Sequence, residues 1–168
     1  MIRYVIVVVG VSVLALGARA QNSPPQHQHV APNLIDGAVH PELISDSAAY
    51  RLYLVGVSTG QNPTEAEQKR QRAHLMKTGL GDADQQIFIS VLSDFRARYG
   101  ALVTEYNNSA RAALARNEAT DVRGLLKKID DLVQSTRDTI SVRLTSKGAA
   151  QLHSFVQSEK KNMKVTED

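Results

Sequence analysis

Between Asp82 and Arg116 the apolar side chains fall on one line. Phe88, Leu92, Phe95, Tyr99, Leu102, Tyr106 and Ala110 follow one another at intervals of 4, 3, 4, 3, 4 and 4. A helix sets such residues on one stripe, whereas a strand would send them to both faces. The spacing predicts a rod of about 50 Å at the helical rise per residue. Asp82 is the expected N-cap, with Gln85 three residues later as in a capping box. Gly100 is the weak point, costing about 1 kcal/mol relative to alanine, and a bend or fray is expected there.

The stripe needs a partner, and the next segment supplies one. After Asn117-Glu118-Ala119, with Thr120 as cap, Val122, Leu125, Ile129, Leu132, Thr136 and Ile140 repeat with the same period. Two long helices joined by so short a connection imply an antiparallel hairpin packed at a shallow, coiled-coil-like angle. The second helix is expected to stop near Leu144, where Thr145 caps a last helix from Ser146 to about Lys164 that buries Leu152, Phe155, Val156 and Met163. Upstream, Asn62 as cap and Pro63 at the first helical position predict a surface helix to Lys77, ended by Gly79 and Gly81. Residues 47–58 carry strand-favouring Tyr, Leu and Val. With no second convincing strand to pair its backbone, helix is the expected state. The predicted fold is all-α: a long antiparallel helical hairpin packed with two to three shorter helices, after an irregular N-terminal arm.

Before this body, Met1-Ile2-Arg3 is a basic start, Tyr4 to Leu16 is uncharged and almost wholly apolar, and Ala18-Arg19-Ala20 offers small residues to a signal peptidase. These features predict a signal peptide over residues 1–20, cleaved after Ala20, and a periplasmic or secreted product. The apolar run is shorter than the roughly 20 residues that span a bilayer, so no stable membrane span is expected after cleavage. Without Arg3 and Arg19 the chain keeps 18 basic and 17 acidic residues, a balance that argues against nucleic acid as partner. The chain has no cysteine, which excludes disulfides, thiolate metal sites, cysteine nucleophiles and lipidation at the signal junction. Residues 21–41, holding Pro24, Pro25, Pro32 and Pro41, form the expected flexible or irregular arm, and residues 42–168 the single helical domain.

Candidate chemistry is sparse. Gly56-Val57-Ser58-Thr59-Gly60 spells the G-x-S-x-G of a nucleophile elbow, in which a strand delivers serine to a strained turn and a helix follows. The helix expected on both sides leaves no sheet to carry it, and His74 and His153 lie within predicted helices. Ser58 is therefore read as structural, Gly60 as a helix C-cap, and the protein as not an enzyme. His27 and His29, with His40 as a third ligand, offer imidazoles to a divalent metal, but two ligands on a flexible arm make a weak site and a solvated polar arm is the commoner explanation. No catalytic, cofactor-binding or metal residue is assigned. The carboxylates Asp82/Asp84 and Asp130/Asp131 suit helix capping and solubility, and the basic groups Arg70/Arg72 and Lys160/Lys161/Lys164 suit solvated faces. The aromatic stripe is expected to be core, its alternative being a groove for a partner.

Ile35-Asp36-Gly37, Pro41-Glu42-Leu43-Ile44 and Ala49-Tyr50-Arg51-Leu52 together resemble an "IDG…PELI…AYR" segment of uncharacterised bacterial exported helical proteins. Leu144-Thr145-Ser146-Lys147-Gly148 and Lys161-Asn162-Met163 look similar too. The resemblance implies a helical exported domain and carries no assigned activity. Arg51 is expected to reach Asp36 or the carbonyls of the lead-in, and so dock the N-terminal segment. In architecture the chain is also similar to small helical periplasmic chaperones and stress proteins, without their paired L-T-x-x-Q repeats. The function expected is protein-binding or chaperone-like, toward another polypeptide or a second copy. A metal- or stress-response accessory role for the His27/His29 arm is the alternative, and a serine hydrolase using Ser58 a remote third.

Overall fold

Ser45 opens the first helix: its backbone is extended and its hydroxyl accepts the Ala48 N–H at 3.2 Å. The helix it caps, α1 (Asp46–Val57), lies where strand-favouring residues made the sequence ambiguous. Ala49, Tyr50, Tyr53, Leu54 and Val57 are its buried residues, a helical spacing. The computed structural model describes residues 34–60 and 62–166. Four further helices follow: α2 (Glu65–Lys77), α3 (Asp82–Ala115), α4 (Val122–Arg143) and α5 (Ser146–Glu159). The protein is all-α, with α3 and α4 forming the predicted hairpin and α1 packed against α3, α4 and α5.

Several helix boundaries differ from expectation because another residue makes the better cap. Thr64, not Asn62, caps α2: its hydroxyl accepts the Glu67 N–H at 3.3 Å, and the Glu67 carboxylate takes the Thr64 N–H at 2.8 Å. Asp121, one residue beyond Thr120, caps α4 by accepting the Gly124 N–H at 2.8 Å. The N-cap of α3 is Gly81, with Asp82 already helical, and Gln85 donates its side-chain N–H to the Leu80 carbonyl at 2.7 Å. Gly60 is no left-handed cap; α1 ends on Ser58 in an extended conformation. Gly79, with φ of 72°, does turn the chain after α2. α3 runs unbroken through Gly100, whose carbonyl accepts the Thr104 hydroxyl at 2.9 Å.

The largest correction concerns residues 34–36 and 164–166. A strand β1 (Leu34–Asp36) pairs antiparallel with β2 (Lys164–Thr166), in a register that sets Ile35 opposite Val165. The last helix therefore stops at Glu159, and a 3-10 turn over Lys160–Asn162 leads into β2. The folded unit begins by Leu34 and not at residue 42, since a three-residue strand leaves no periodic signal. Gly37 N–H donates to the Met163 carbonyl at 2.9 Å, and its missing side chain lets the Lys160 carbonyl approach so closely that a Cβ would collide with it. Asp36 is held by Lys164 Nζ at 2.7 Å, so Arg51 is not its partner. Arg51 lies 4.0 Å from Asp130 instead. After a 3-10 turn over Pro41–Leu43, Ile44 drops into the core.

The core lies at one end of the hairpin. Phe88, Leu92 and Phe95 of α3 meet Ile129, Leu132 and Val133 of α4, Leu54 of α1, and Leu152 and Val156 of α5. Full burial of such side chains contributes about 1.5–3 kcal/mol each. Tyr53 stacks on Phe88 and meets Phe155 edge-on, with ring centroids 6.3 and 5.7 Å away. Length then sets the shape. The 12 residues of α1 and 14 of α5 reach about 20 Å, whereas the 34 residues of α3 reach about 50 Å. The shorter helices cover only the part of the hairpin near the start of α3 and the end of α4. Beyond Phe95, Ala113 is the one residue of α3 that is buried.

Candidate functional site

Ser58 sits at the end of a helix, not at the end of a strand. Its hydroxyl donates to the Val55 carbonyl at 3.4 Å, and the next helix starts only at Glu65. The strand–turn–helix geometry that would expose a nucleophile is missing at this G-x-S-x-G, and Ser58 is buried. The Val57 carbonyl beside it accepts the side-chain N–H of Gln71 at 3.1 Å, which ties α2 to α1.

His27 and His29 lie outside the described residues. His40 Nδ1 is 3.1 Å from the Glu42 carboxylate. Among the described residues no group of three His, Cys, Asp or Glu side chains is placed to hold a metal ion. Burial, aided by Lys77, holds the His74 imidazole below its ordinary pKa.

The densest polar constellation joins α1 to α4 and α5, and the sequence did not single it out. Asp46 Oδ1 accepts Lys160 Nζ and Gln157 Nε2, both at 2.8 Å, while Arg137 approaches its other oxygen at 3.8 Å. The hydrogen bond from Lys160 is the chief cause that lowers the Asp46 pKa. The Arg137 guanidinium also lies 4.7 Å over the Tyr50 ring, and the Tyr50 hydroxyl is 3.3 Å from His153 Nδ1. Burial raises the Tyr50 pKa, so its hydroxyl stays protonated at neutral pH. The charges here bind one another, and the arrangement works as a clasp between helices far apart in sequence. No local pattern betrays such pairs, because Asp46 and Lys160 are separated by 114 residues.

Asp84 has a comparable role. The sequence offered it as a helix-start carboxylate; the structure buries it against the start of α5. There it accepts the Thr145 N–H at 2.9 Å and the Thr145 hydroxyl at 2.6 Å. Those hydrogen bonds lower its pKa. Gly148 leaves the space this carboxylate fills, and a Cβ there would strike it. Asp130 stands 3.2 Å from the Ser47 hydroxyl, and Asp131 pairs with Lys127 at 2.9 Å on the outer face.

What remains open is the far part of the hairpin, an arm formed by residues 99–115 of α3 and the first turns of α4. Two helices with one seam cannot bury a whole stripe. Val103, Tyr106 and Leu126 are half-buried, and Leu114 and Val122 are 70% and 47% exposed. A groove runs between the helices, with Leu102, Tyr106 and Leu125 as apolar lining and the Glu105–Lys128 ion pair, 2.6 Å long, at its rim. Gly124 lines it without contributing a side chain. The sequence weighed this stripe as core or partner groove. The structure divides it: Phe88, Leu92 and Phe95 are core, Tyr99 and Leu102 pack half-buried against that core, and Leu102 and Tyr106 line the groove. Among the described residues no helix is long and apolar enough to cross a membrane. Comparison with protein-family models, with curated proteins and with solved structures finds no match for this chain.

Proposed function

We propose that this is an exported, non-enzymatic helical binding protein of the cell envelope, whose outlying arm engages an apolar segment of a polypeptide. The observation that supports this reading is the incompletely covered stripe of the arm. Leu114 and Val122 of the arm stand exposed, and a groove between its two helices is lined by Leu102, Tyr106 and Leu125. Apolar surface kept in water costs about 25 cal/mol per Å², and a groove with apolar lining and a polar rim matches the way amphipathic helices are held. Export is supported by the basic start, the apolar run and Ala18-Arg19-Ala20.

Light scattering of a heat-aggregating client enzyme tests the reading. The purified protein is expected to suppress aggregation in proportion to its concentration, and Leu114→Glu to lose most of that effect while remaining folded. Absence of suppression at any ratio, or equal suppression by the variant, contradicts the role of the arm. Labelling by a fluorophosphonate probe that disappears in Ser58→Ala would contradict the non-enzymatic assignment.

A further inference from the structure

We infer that α2 is a detachable cover on one flank of the bundle, and that protonation of His74 releases it. Release uncovers Val57 of α1 and Phe155 of α5. This flank is separate from the arm, and the release of α2 does not depend on what the arm binds.

Attachment is the first observation. Of the five helices α2 has the fewest buried residues: His74 and Leu75 alone among 13, against five of the 12 in α1. Residues 65–70 are exposed apart from the half-buried Glu67. The hold is confined to the last turns. There Gln71 donates to the Val57 carbonyl at 3.1 Å and Leu75 enters the core. Thr78, just past the helix, is buried beside Gln151 and Phe155 of α5. Segments with so few buried apolar contacts are the ones that open locally.

Glycines stand at both ends of this element. Gly60 precedes it, and Gly79 and Gly81 follow. A Cβ at Gly60 or Gly81 would meet nothing, and Gly79 holds a φ of 72°. Small residues at the ends of an element can absorb the backbone rotation that swings it away.

One of the two buried anchors is titratable, and histidine is the side chain that changes charge between pH 5 and 8. His74 stands four residues after Arg70 and three before Lys77, on one helical face, where like charges repel. From α5 the opposing charge is Glu159. α1 presents the Val57 carbonyl to Gln71, and α3 presents Arg96, whose field reaches Glu67 two turns earlier. Protonation therefore places a third cation on this face at a site packed out of water. Burial, then Lys77, disfavours it while α2 is docked. In the released helix the imidazole is hydrated and takes up its proton near pH 6.5. Release thus begins as pH falls below about 6.5, and grows until His74 also protonates in the docked state.

Hydrogen exchange of the full chain, read as protection factors from pH 7.5 to pH 5, tests this. Amides of residues 71–77 are expected to lose protection below about pH 6.5, by as much as about tenfold per pH unit for one proton. Amides around Leu92, Val133 and Leu152 are expected to remain roughly a hundredfold or more better protected at pH 5. Fluorescence of an apolar dye is expected to rise over the same range as Val57 and Phe155 are uncovered. His74→Gln is expected to hold α2 protection constant and to abolish the dye response. Should that variant not fold, the titration of His74 by NMR in the unaltered chain serves instead, and its midpoint is expected to coincide with the loss of α2 protection. Loss of protection in His74→Gln, or in the unaltered chain while His74 is still neutral, overturns the role of the imidazole. Protection of α2 that does not change with pH, or that equals that of the core throughout, overturns the release itself.

Discussion

Leu92 and Val142 are both aliphatic residues within long helices, yet the first is fully buried and the second is 84% exposed. Truncating Leu92 to alanine leaves a cavity among Phe88, Phe95 and the residues of α1 and α4, and is expected to cost about 3 kcal/mol or more. Val142→Ala is expected to stay within about 0.5 kcal/mol. Urea unfolding of both variants checks the contrast, and equal midpoints would refute the placement of the core. Titration is also decided by individual residues. Burial holds His74 below its ordinary value of 6.5, so the unfolded chain takes up a proton that the folded chain refuses. Stability is then expected to fall as pH drops through about 6.5. Asp46 and Asp84, lowered from 3.8 mainly by their hydrogen bonds to Lys160 and Thr145, act at lower pH. Their contribution is complete above that value and is lost as pH falls through their folded pKa values. Urea midpoints measured from pH 8 to pH 3 are expected to show both declines. A profile flat between pH 7 and pH 5, unaltered in His74→Gln, contradicts the first.

At the scale of elements, caps and clasps fix where each helix begins and what it lies beside. Removing the Thr64 hydroxyl by Thr64→Ala breaks one half of a reciprocal pair and is expected to cost about 1 kcal/mol, read as a lower melting temperature. Gly37→Ala must push aside the Lys160 carbonyl, which is backbone and yields little. Faster hydrogen exchange in residues 34–37 and 163–166 is the expected result, and unchanged exchange would show that the two ends are not locked there. These elements also mark how far the sequence could be read. The stripe from Phe88 to Ala110 and its match from Val122 to Ile140 announced the hairpin, because helical period survives over many turns. Residues 34–36 and 164–166 announced nothing, since three residues hold no period and their pairing depends on closure of the whole chain. Caps were legible only to within one or two residues, as Asn62 against Thr64 and Thr120 against Asp121 illustrate. The Asp46–Lys160 and Asp84–Thr145 contacts were invisible, being set by tertiary proximity alone. For the arm, the sequence supplied the apolar line but not where cover ends, which follows from comparing the lengths of α1 and α5 with that of α3.

Among the described residues, the molecule is a short bundle closed by the pairing of β1 with β2, from which one hairpin continues outward with its seam half covered. Two helices alone are marginal in water, and most helix stability comes from packing of an apolar face. The arm is therefore the part whose stability another polypeptide can change. Hydrogen exchange followed against added unfolded client polypeptide tests this most directly. Amides in residues 102–126 are expected to gain protection as client concentration rises from micromolar to submillimolar, while those around Leu92, Val133 and Leu152 stay constant. Protection in the arm that is independent of client, or equal to that of the core with no client present, would contradict the account.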